Sequence, residues 1–284
     1  MRDYWDSVAK SLPNPPKCST FGLIVAPYWK LERRLAAELS LSYLLPASGS
    51  KRLLLLKSDL WNEGVDNTGG DIFDFLGGGR RTAEIVGVDV SPVICHSAKR
   101  RMGKEELRVA CADVRKLPFA SEIFDIILDV STLDHIPPAH IASVVNEYER
   151  VLKESGILCL IFDSVTSGWL QYLRRIFNRF RYHQTKRFKF GWRLSPDWIK
   201  GRLGESGFTI LSEFRLGILS LSPIFLKAAQ SNLTGKAVPR LLYSPIRSAK
   251  LAKALRSFPP LSTQYLFVAR KQGAYGRVWS ALAV

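Results

Sequence analysis

Residues 84–102 read EIVGVDVSPVICHSAKRRM. The run before Asp89 is apolar along most of its length, which predicts a short strand that is covered on both faces. The segment from Pro92 to Met102 has the character of a helix. A strand followed directly by a helix is the repeating unit of a parallel sheet.

Similar strand-like runs recur on both sides of this stretch, and helix-like segments separate them. The runs lie at residues 52–57, 107–110, 124–129, 156–162, 209–215 and 264–270, and the helix-like segments lie at 28–45, 65–76, 139–152 and 195–206. Ser195 and Pro196 suit the start of the last of these helices. Strands that alternate with helices predict an α/β fold with a doubly wound, mostly parallel sheet.

The same pattern divides the chain into a core with additions. We predict an N-terminal helical extension (1–50), a Rossmann-like core (51–163), a basic aromatic lid insertion (164–194), a C-terminal part of the core (195–272) that carries a basic helical insertion at about 217–260, and a tail (273–284).

The composition is that of an ordinary folded chain, with 46% hydrophobic and 23% charged residues in 284. The four cysteines lie far apart and no Cys/His cluster suggests a metal site, which predicts a reducing compartment. The first ten residues lack the apolar run of a signal peptide, and no stretch approaches the length of a membrane span. We therefore expect a cytoplasmic protein.

The positive charge is concentrated in two segments. The chain has 41 basic and 25 acidic residues, a formal net charge of +16. The segments between Asp163 and Asp197 and after Glu213 carry basic residues and no acidic ones. Such cationic segments on an otherwise near-neutral chain predict an anionic partner.

Carboxylates follow three of the predicted strands, at Asp59, Asp89 and Asp113. Ligands of open α/β sheets bind at the carboxyl ends of the strands, where a carboxylate can accept hydrogen bonds from ribose hydroxyls or from an adenine amine. Each of these residues taken alone also suits a turn or a helix cap. The spacing leaves both interpretations open.

Three segments resemble one family: GVDVSPVICHSAKRR from Gly87, ADVRKLPFASEIFDIILDVSTLDHI from Ala112, and EYERVLKESGILCLIF from Glu147. Together they are similar to the class I S-adenosylmethionine-dependent methyltransferases, and most of all to the branch that acts on small molecules, quinones and lipid precursors. The resemblance is strong over residues 51–162 and weak as far as Arg270. It implies a seven-stranded sheet with an antiparallel last strand, S-adenosylmethionine as cofactor, and no metal.

The resemblance also implies roles for individual residues. Asp89 would hold the ribose hydroxyls, with Val90 and Ser91 flanking the adenosine. Asp113 and the backbone of Val114 would recognise the adenine edge. Ser131, and also Asp129, would lie near the methionine part of the cofactor.

The chain departs from the family in the loop after the first strand. The family has an acidic residue and a G-x-G-x-G loop there, whereas this chain reads LLLLKSDLWNEG, with Lys57 at about the acidic position and Gly64 as the surviving glycine. In one interpretation, Asp59 and Glu63 hold the ammonium and sulfonium ends of the cofactor. In the other, Trp61 and Glu63 fill the pocket, and the domain has lost its activity.

His135 is the candidate catalytic base, because histidine titrates near neutral pH and this one follows the fourth strand. The alternative is that His135 packs against the turn at Pro137. Methyl transfer itself depends mainly on alignment in a closed site.

The two cationic segments bear on the acceptor. Residues 169–193 mix arginine and lysine with aromatic residues, and residues 245–258 form a basic amphipathic pattern. These features predict a small or amphiphilic, even lipid-linked, acceptor and contact with an anionic membrane surface, with nucleic acid a weaker option. A non-catalytic protein that has lost the cofactor and holds an anionic partner is the alternative function.

Overall fold

The computed structural model describes residues 1–11, 43, 52–65, 83–102, 107–164, 191–216 and 264–273. Seven strands form one sheet through the centre of this part of the chain. The strands are β1 (Leu53–Lys57), β2 (Ala83–Asp89), β3 (Leu107–Cys111), β4 (Phe124–Val130), β5 (Leu152–Asp163), β6 (Phe208–Leu216) and β7 (Gln264–Lys271).

Five helices are described around the sheet, together with two short 3₁₀ turns. The helices are α1 (Arg2–Ser11), α2 (Trp61–Gly64), α3 (Pro92–Met102), α4 (Ile141–Val151) and α5 (Pro196–Glu205), and the turns are Leu133–His135 and Pro138–His140. The Ser195 hydroxyl accepts a hydrogen bond from the Trp198 amide at 3.4 Å, so the predicted cap of α5 is present.

The strand order is β3-β2-β1-β4-β5-β7-β6. β1 pairs in parallel with β2 and β4, β2 with β3, and β4 with β5, whereas β7 runs antiparallel to both of its neighbours. The predicted α/β fold with seven mostly parallel strands is therefore confirmed. The order reverses between β1 and β4, and at this point ligands bind in open sheets.

Apolar side chains cover both faces of the sheet. In β4, the sequence FDIILDV buries six of its seven residues and leaves Asp125 half-buried. Its side chains alternate between two core clusters, with Ile126 and Leu128 in one and Phe124 and Ile127 in the other. Burial on both faces explains why the strands have continuous apolar runs instead of an alternating pattern.

The structure differs from the predicted elements in several places, and the short helix α2 is among the elements that were not predicted. β5 begins at Leu152, four residues before the predicted start, because α4 ends at Val151 and Leu152 pairs at once with Phe124. Helix α1 was not predicted. Parts of the predicted elements lie outside the described residues, namely 66–76, 28–45 except Tyr43, 165–190 and the insertion at 217–260.

Candidate active site

A cleft opens at the carboxyl ends of β1, β2, β3 and β4. It encloses about 880 Å³ of space, part of which is open to solvent. Its walls include seven of the predicted site residues, whereas Glu63, Ser91 and Asp129 lie outside them. The seven are Asp59, Asp89, Val90, Asp113, Val114, Ser131 and His135. The fold thus brings together residues that are up to 76 positions apart, because the ends of parallel strands meet at one edge of the sheet.

Lys57 organises the loop that follows β1. Its ammonium group is fully buried and lies 2.5 Å from the Asp59 carbonyl oxygen and 3.0 Å from the Asp59 carboxylate. It also forms an ion pair with the Glu63 carboxylate at 3.0 Å. Burial raises the pKa of Glu63, although the nearby Lys57 opposes this effect. One lysine therefore ties the loop together where the family has glycines.

The prediction that Glu63 contacts the cofactor is not supported by the structure, because this side chain pairs with Lys57 instead. The Glu63 side chain is completely buried and belongs to the ion pair beneath the loop, not to the wall of the cleft. Trp61 does form part of the wall, but the cleft remains open beside it. The interpretation in which Trp61 and Glu63 fill the pocket is therefore not what the structure shows.

Gly64, the surviving glycine of the loop, has a packing role. A Cβ atom at this position would lie 2.6 Å from the Ile94 carbonyl oxygen of α3. The Ser97 hydroxyl donates a hydrogen bond to the Gly64 carbonyl at 2.6 Å. Glycine is thus required for the close contact between α2 and α3 rather than for contact with a ligand.

Asp89 stands at the end of β2 and orders the backbone on both sides of it. Its two carboxylate oxygens accept hydrogen bonds from the Leu60 amide at 3.1 Å and the Ser91 amide at 2.9 Å. Burial raises the pKa of Asp89 to about 6, against the effect of these two bonds. Each carboxylate oxygen has a second acceptor direction, so two ribose hydroxyls can still be bound.

Ser91 lies outside the cleft wall, since it is fully buried and its hydroxyl bonds the Asp6 carboxylate of α1.

Asp113 follows β3 and pairs with Arg115. The guanidinium group holds the carboxylate through Nε at 2.9 Å and Nη2 at 2.6 Å, and these hydrogen bonds lower the pKa of Asp113. The carboxylate therefore stays ionised over the physiological range, and its Oδ1 atom also accepts a hydrogen bond from the Arg115 amide at 2.9 Å. Val114 beside it is buried and supplies an apolar wall.

Ser131 follows β4 with a φ of 60°, a left-handed conformation that residues other than glycine seldom adopt. Its amide donates a hydrogen bond to the Ile161 carbonyl at 2.7 Å. Next to it, the hydroxyls of Thr132 and Ser58 are joined at 2.8 Å, which links the ends of β4 and β1. Unusual backbone conformations of this kind concentrate at functional sites.

Asp129 lies beneath the floor of the cleft and not in its wall. The Tyr148 hydroxyl donates to its carboxylate at 2.8 Å, and the Thr132 amide donates at 2.9 Å. Complete burial raises the pKa of Asp129 to about 6. The structure thus gives Asp129 a role in holding the turn after β4 and corrects the expectation that it faces the cofactor.

His135 lies in the cleft wall, on the turn after β4. Its ring packs edge-to-face against Trp5, with the ring centroids 4.8 Å apart. The structure shows only that His135 lines the cleft and that Trp5 is a packing partner of its ring. Its role as a base stays a prediction.

Sequence reasoning missed helix α1, which supplies Trp5 to the cleft wall beside the preceding residue, Met1. Met1, Trp5 and Ala9 recur at every fourth position, the spacing of one helix face. This signal was available in the sequence, but nothing local to residues 1–11 says which part of the molecule that face contacts.

Residues 68–160 match the family described as methyltransferase domain. An uncharacterized methyltransferase of Synechocystis is 29% identical over 143 residues, 48% of this chain and 64% of that protein. The uncharacterized methyltransferase YodH of Bacillus subtilis is 37% identical over 73 residues, 25% of this chain and 30% of that protein. The chain thus spans less than two thirds of these curated relatives.

Solved structures with the same fold include the [4+2]-cyclase SpnF and a geranyl diphosphate C-methyltransferase from Streptomyces coelicolor, the latter complexed with S-adenosyl-L-homocysteine. SpnF is 19% identical, with a TM-score of 0.51 over 84% of this chain and 80% of that one. The C-methyltransferase is 14% identical, with a TM-score of 0.50 over 83% of this chain and 78% of that one. These likenesses show the fold alone.

The match over residues 68–160 supports the predicted resemblance to the class I S-adenosylmethionine-dependent methyltransferases, the class whose cofactor is S-adenosylmethionine. Within the described residues, no group of three or more His, Cys, Asp or Glu side chains could hold a metal ion. No helix in the described part of the chain is both long and apolar enough to cross a membrane.

Proposed function

We propose that this protein transfers a methyl group from S-adenosylmethionine to a small or amphiphilic acceptor. The observation that carries the proposal is the open cleft at the ends of four strands, with Asp89 and Asp113 in its walls. Their carboxylates meet the two needs of an adenosine, because one can bind ribose hydroxyls and the other an adenine amine.

When bound, S-adenosylmethionine supplies a methyl group on a positively charged sulfur that is a good leaving group. The protein's own task is then alignment and the exclusion of water. Asp89 and Val90 hold the ribose, Asp113 and Val114 hold the adenine, and Asp59 and Ser131 lie on the side left for the methionine part. His135 accepts a proton when the acceptor is a hydroxyl or an acidic carbon.

The amphiphilic acceptor is supported by the described walls and by the sequence. Trp5, Trp61, Val130 and Ile136 give the cleft an apolar lining beside its carboxylates. The basic segments 169–193 and 245–258 add cationic and apolar residues to the same chain. A substrate with an anionic or polar head and an apolar body matches both features, as does contact with an anionic membrane surface.

Calorimetric titration with S-adenosylhomocysteine tests the proposal. We expect wild-type protein to bind it and Asp89→Asn to bind it at least about tenfold more weakly, because a hydrogen bond to an ionised acceptor contributes roughly 1.5–3 kcal/mol. Asp197→Asn is the matched control, since that carboxylate is 93% exposed on α5 and does not line the cleft.

The pH dependence sharpens this test. Asp89 has a pKa of about 6, so its carboxyl becomes protonated as the pH falls below 6 and loses acceptor capacity for the ribose. The wild-type affinity should therefore decrease from pH 7 to pH 5, while that of Asp89→Asn changes much less. An absence of binding heat with the wild type would favour the non-catalytic alternative. Equal affinities of the wild type and Asp89→Asn for S-adenosylhomocysteine would show that Asp89 does not bind the ligand.

A further inference from the structure

Trp5 of helix α1 bridges the two loops that border the centre of the cleft. Its side chain is 9% exposed. Its ring meets Trp61, which follows β1, edge-to-face at 5.9 Å, and His135, which follows β4, at 4.8 Å. The three rings and Met1 all line the cleft, and this group of residues is called the roof here.

Helix α1 is held in this position by more than its aromatic ring. It packs against α3, and the Asp6 carboxylate accepts a hydrogen bond from the buried Ser91 hydroxyl. Ala9 packs against the core cluster that includes Ile94. The roof is therefore anchored to the helix that directly follows Asp89 and β2.

The strand order indicates which end of S-adenosylmethionine would lie next to the roof. Asp113 and Asp89 mark the ends of β3 and β2, where the adenosine is proposed to bind, and β1 and β4 come next in the sheet. The remaining part of the cofactor, which carries a sulfonium, an ammonium and a carboxylate, would then extend towards Trp61, Trp5 and Asp59. The charge of Asp59 is already shared with Lys57.

We propose that Trp5, together with Trp61, holds the cationic methionine end of S-adenosylmethionine, in place of the glycine loop that this chain lacks. This inference rests on the proposed function. The faces and edges of aromatic rings differ in charge, and a cation that lies over a tryptophan face is attracted by roughly 0.5–2 kcal/mol. Helix α1 is then a part of the cofactor site, and Trp5 selects the charged cofactor over its neutral product.

The comparison of S-adenosylmethionine with S-adenosylhomocysteine isolates this effect, because the two differ by the methyl group and the positive charge on sulfur. Titration calorimetry on the full chain, tagged at the C-terminus to leave α1 unaltered, gives both affinities. For Trp5→Leu, we expect the affinity for S-adenosylmethionine to fall roughly threefold to thirtyfold more than that for S-adenosylhomocysteine. Trp5→Phe should lie between wild type and Trp5→Leu.

Trp198→Leu is the matched control, since this tryptophan lies on α5, where it packs beneath Arg202 and does not line the cleft. It should change neither affinity. Equal losses of both ligands in Trp5→Leu would show that Trp5 does not respond to the charge on sulfur and would overturn the inference, whatever the change in the thermal midpoint. Tighter binding of both ligands would overturn it too, because Trp5 would then occupy the cleft.

Failure of this inference and failure of the proposed function give different results. Asp89→Asn weakens both ligands together, whereas the Trp5 series alters their ratio. The wild type could bind both ligands while Trp5→Phe and Trp5→Leu leave the ratio of the two affinities unchanged. That result would support the proposed function and exclude the proposed role of Trp5.

Discussion

Lys57 shows how a single residue can replace the usual chemistry of a loop. The family has an acidic residue at about this position and glycines after it, whereas here a buried ammonium group draws Asp59 and Glu63 together. A buried charge is tolerated only when it is well paired, because its transfer from water is costly. The loop therefore depends on the whole ion cluster.

We expect Lys57→Met to destabilise the protein by about 3–5 kcal/mol, since it leaves buried carboxylates without their cation. The double variant Lys57→Met/Glu63→Gln should recover part of this loss. Urea denaturation measures both. Lys153→Met is the control, because Lys153 is 33% exposed in its pair with Asp125 and should cost at most about 1 kcal/mol. A similarly small loss in the free energy of unfolding for Lys57→Met would show that the ion cluster does not stabilise the loop.

The site residues illustrate what local patterns can predict. Asp59, Asp89 and Asp113 were identified because each lies at or just after the end of a strand, and Ser131 was identified through the family resemblance. The fold brings all four to the cleft. Their contacts with the cofactor stay predictions. Glu63 has the same local character, yet its side chain turns away, because Lys57 lies beneath the loop.

At the scale of elements, the contact between α2 and α3 sets the shape of the cleft. Gly64 lies at this contact, directly against the Ile94 carbonyl. Ile94 also lines the cleft, and α3 begins three residues after Asp89. A shift of α3 would therefore move both the wall and the residues that flank the carboxylate.

Gly64→Ala should destabilise the protein by roughly 1–3 kcal/mol, because the new methyl group would lie 2.6 Å from a backbone oxygen that cannot easily move. Gly201→Ala is the matched control in α5, where a Cβ would meet nothing within 4 Å. It should stabilise the helix by about 0.5–1 kcal/mol. Thermal and urea unfolding measure both, and a loss of equal size at the two positions would contradict the close contact.

At the scale of the whole molecule, the uneven distribution of positive charge leads to a testable prediction about membrane binding. The excess of positive charge belongs to segments on either side of α5 and β6, and most of their residues lie outside the described part of the chain. Basic residues near an anionic membrane contribute about 1 kcal/mol each. This attraction weakens as salt shortens the range of the field.

We expect the protein to float with anionic vesicles at low salt, to float less at high salt, and to stay unbound with neutral vesicles. A variant in which glutamine replaces the basic residues of segment 245–258 should float less with anionic vesicles. The changed residues are Arg247, Lys250, Lys253 and Arg256. Equal recovery in the unbound fraction with anionic and neutral vesicles at low salt would refute association with a membrane surface.

The sequence by itself determined the strands, their mostly parallel sheet and the positions of the strand-end carboxylates. These properties are local, since a strand buried on both faces needs a continuous apolar run, and a residue after such a strand must lie at the sheet edge. For that reason β4 and α3 were predicted to within one residue of their observed bounds.

The tertiary structure alone decided which of these residues face the cleft and what covers them. Trp5 meets Trp61 and His135 across 56 and 130 positions of sequence, and the ion cluster of Lys57 turns Glu63 inward. Neither contact has a local signature, because packing between distant segments depends on the shape and charge of both partners. The helix that begins the chain became part of the candidate site only through the folded molecule.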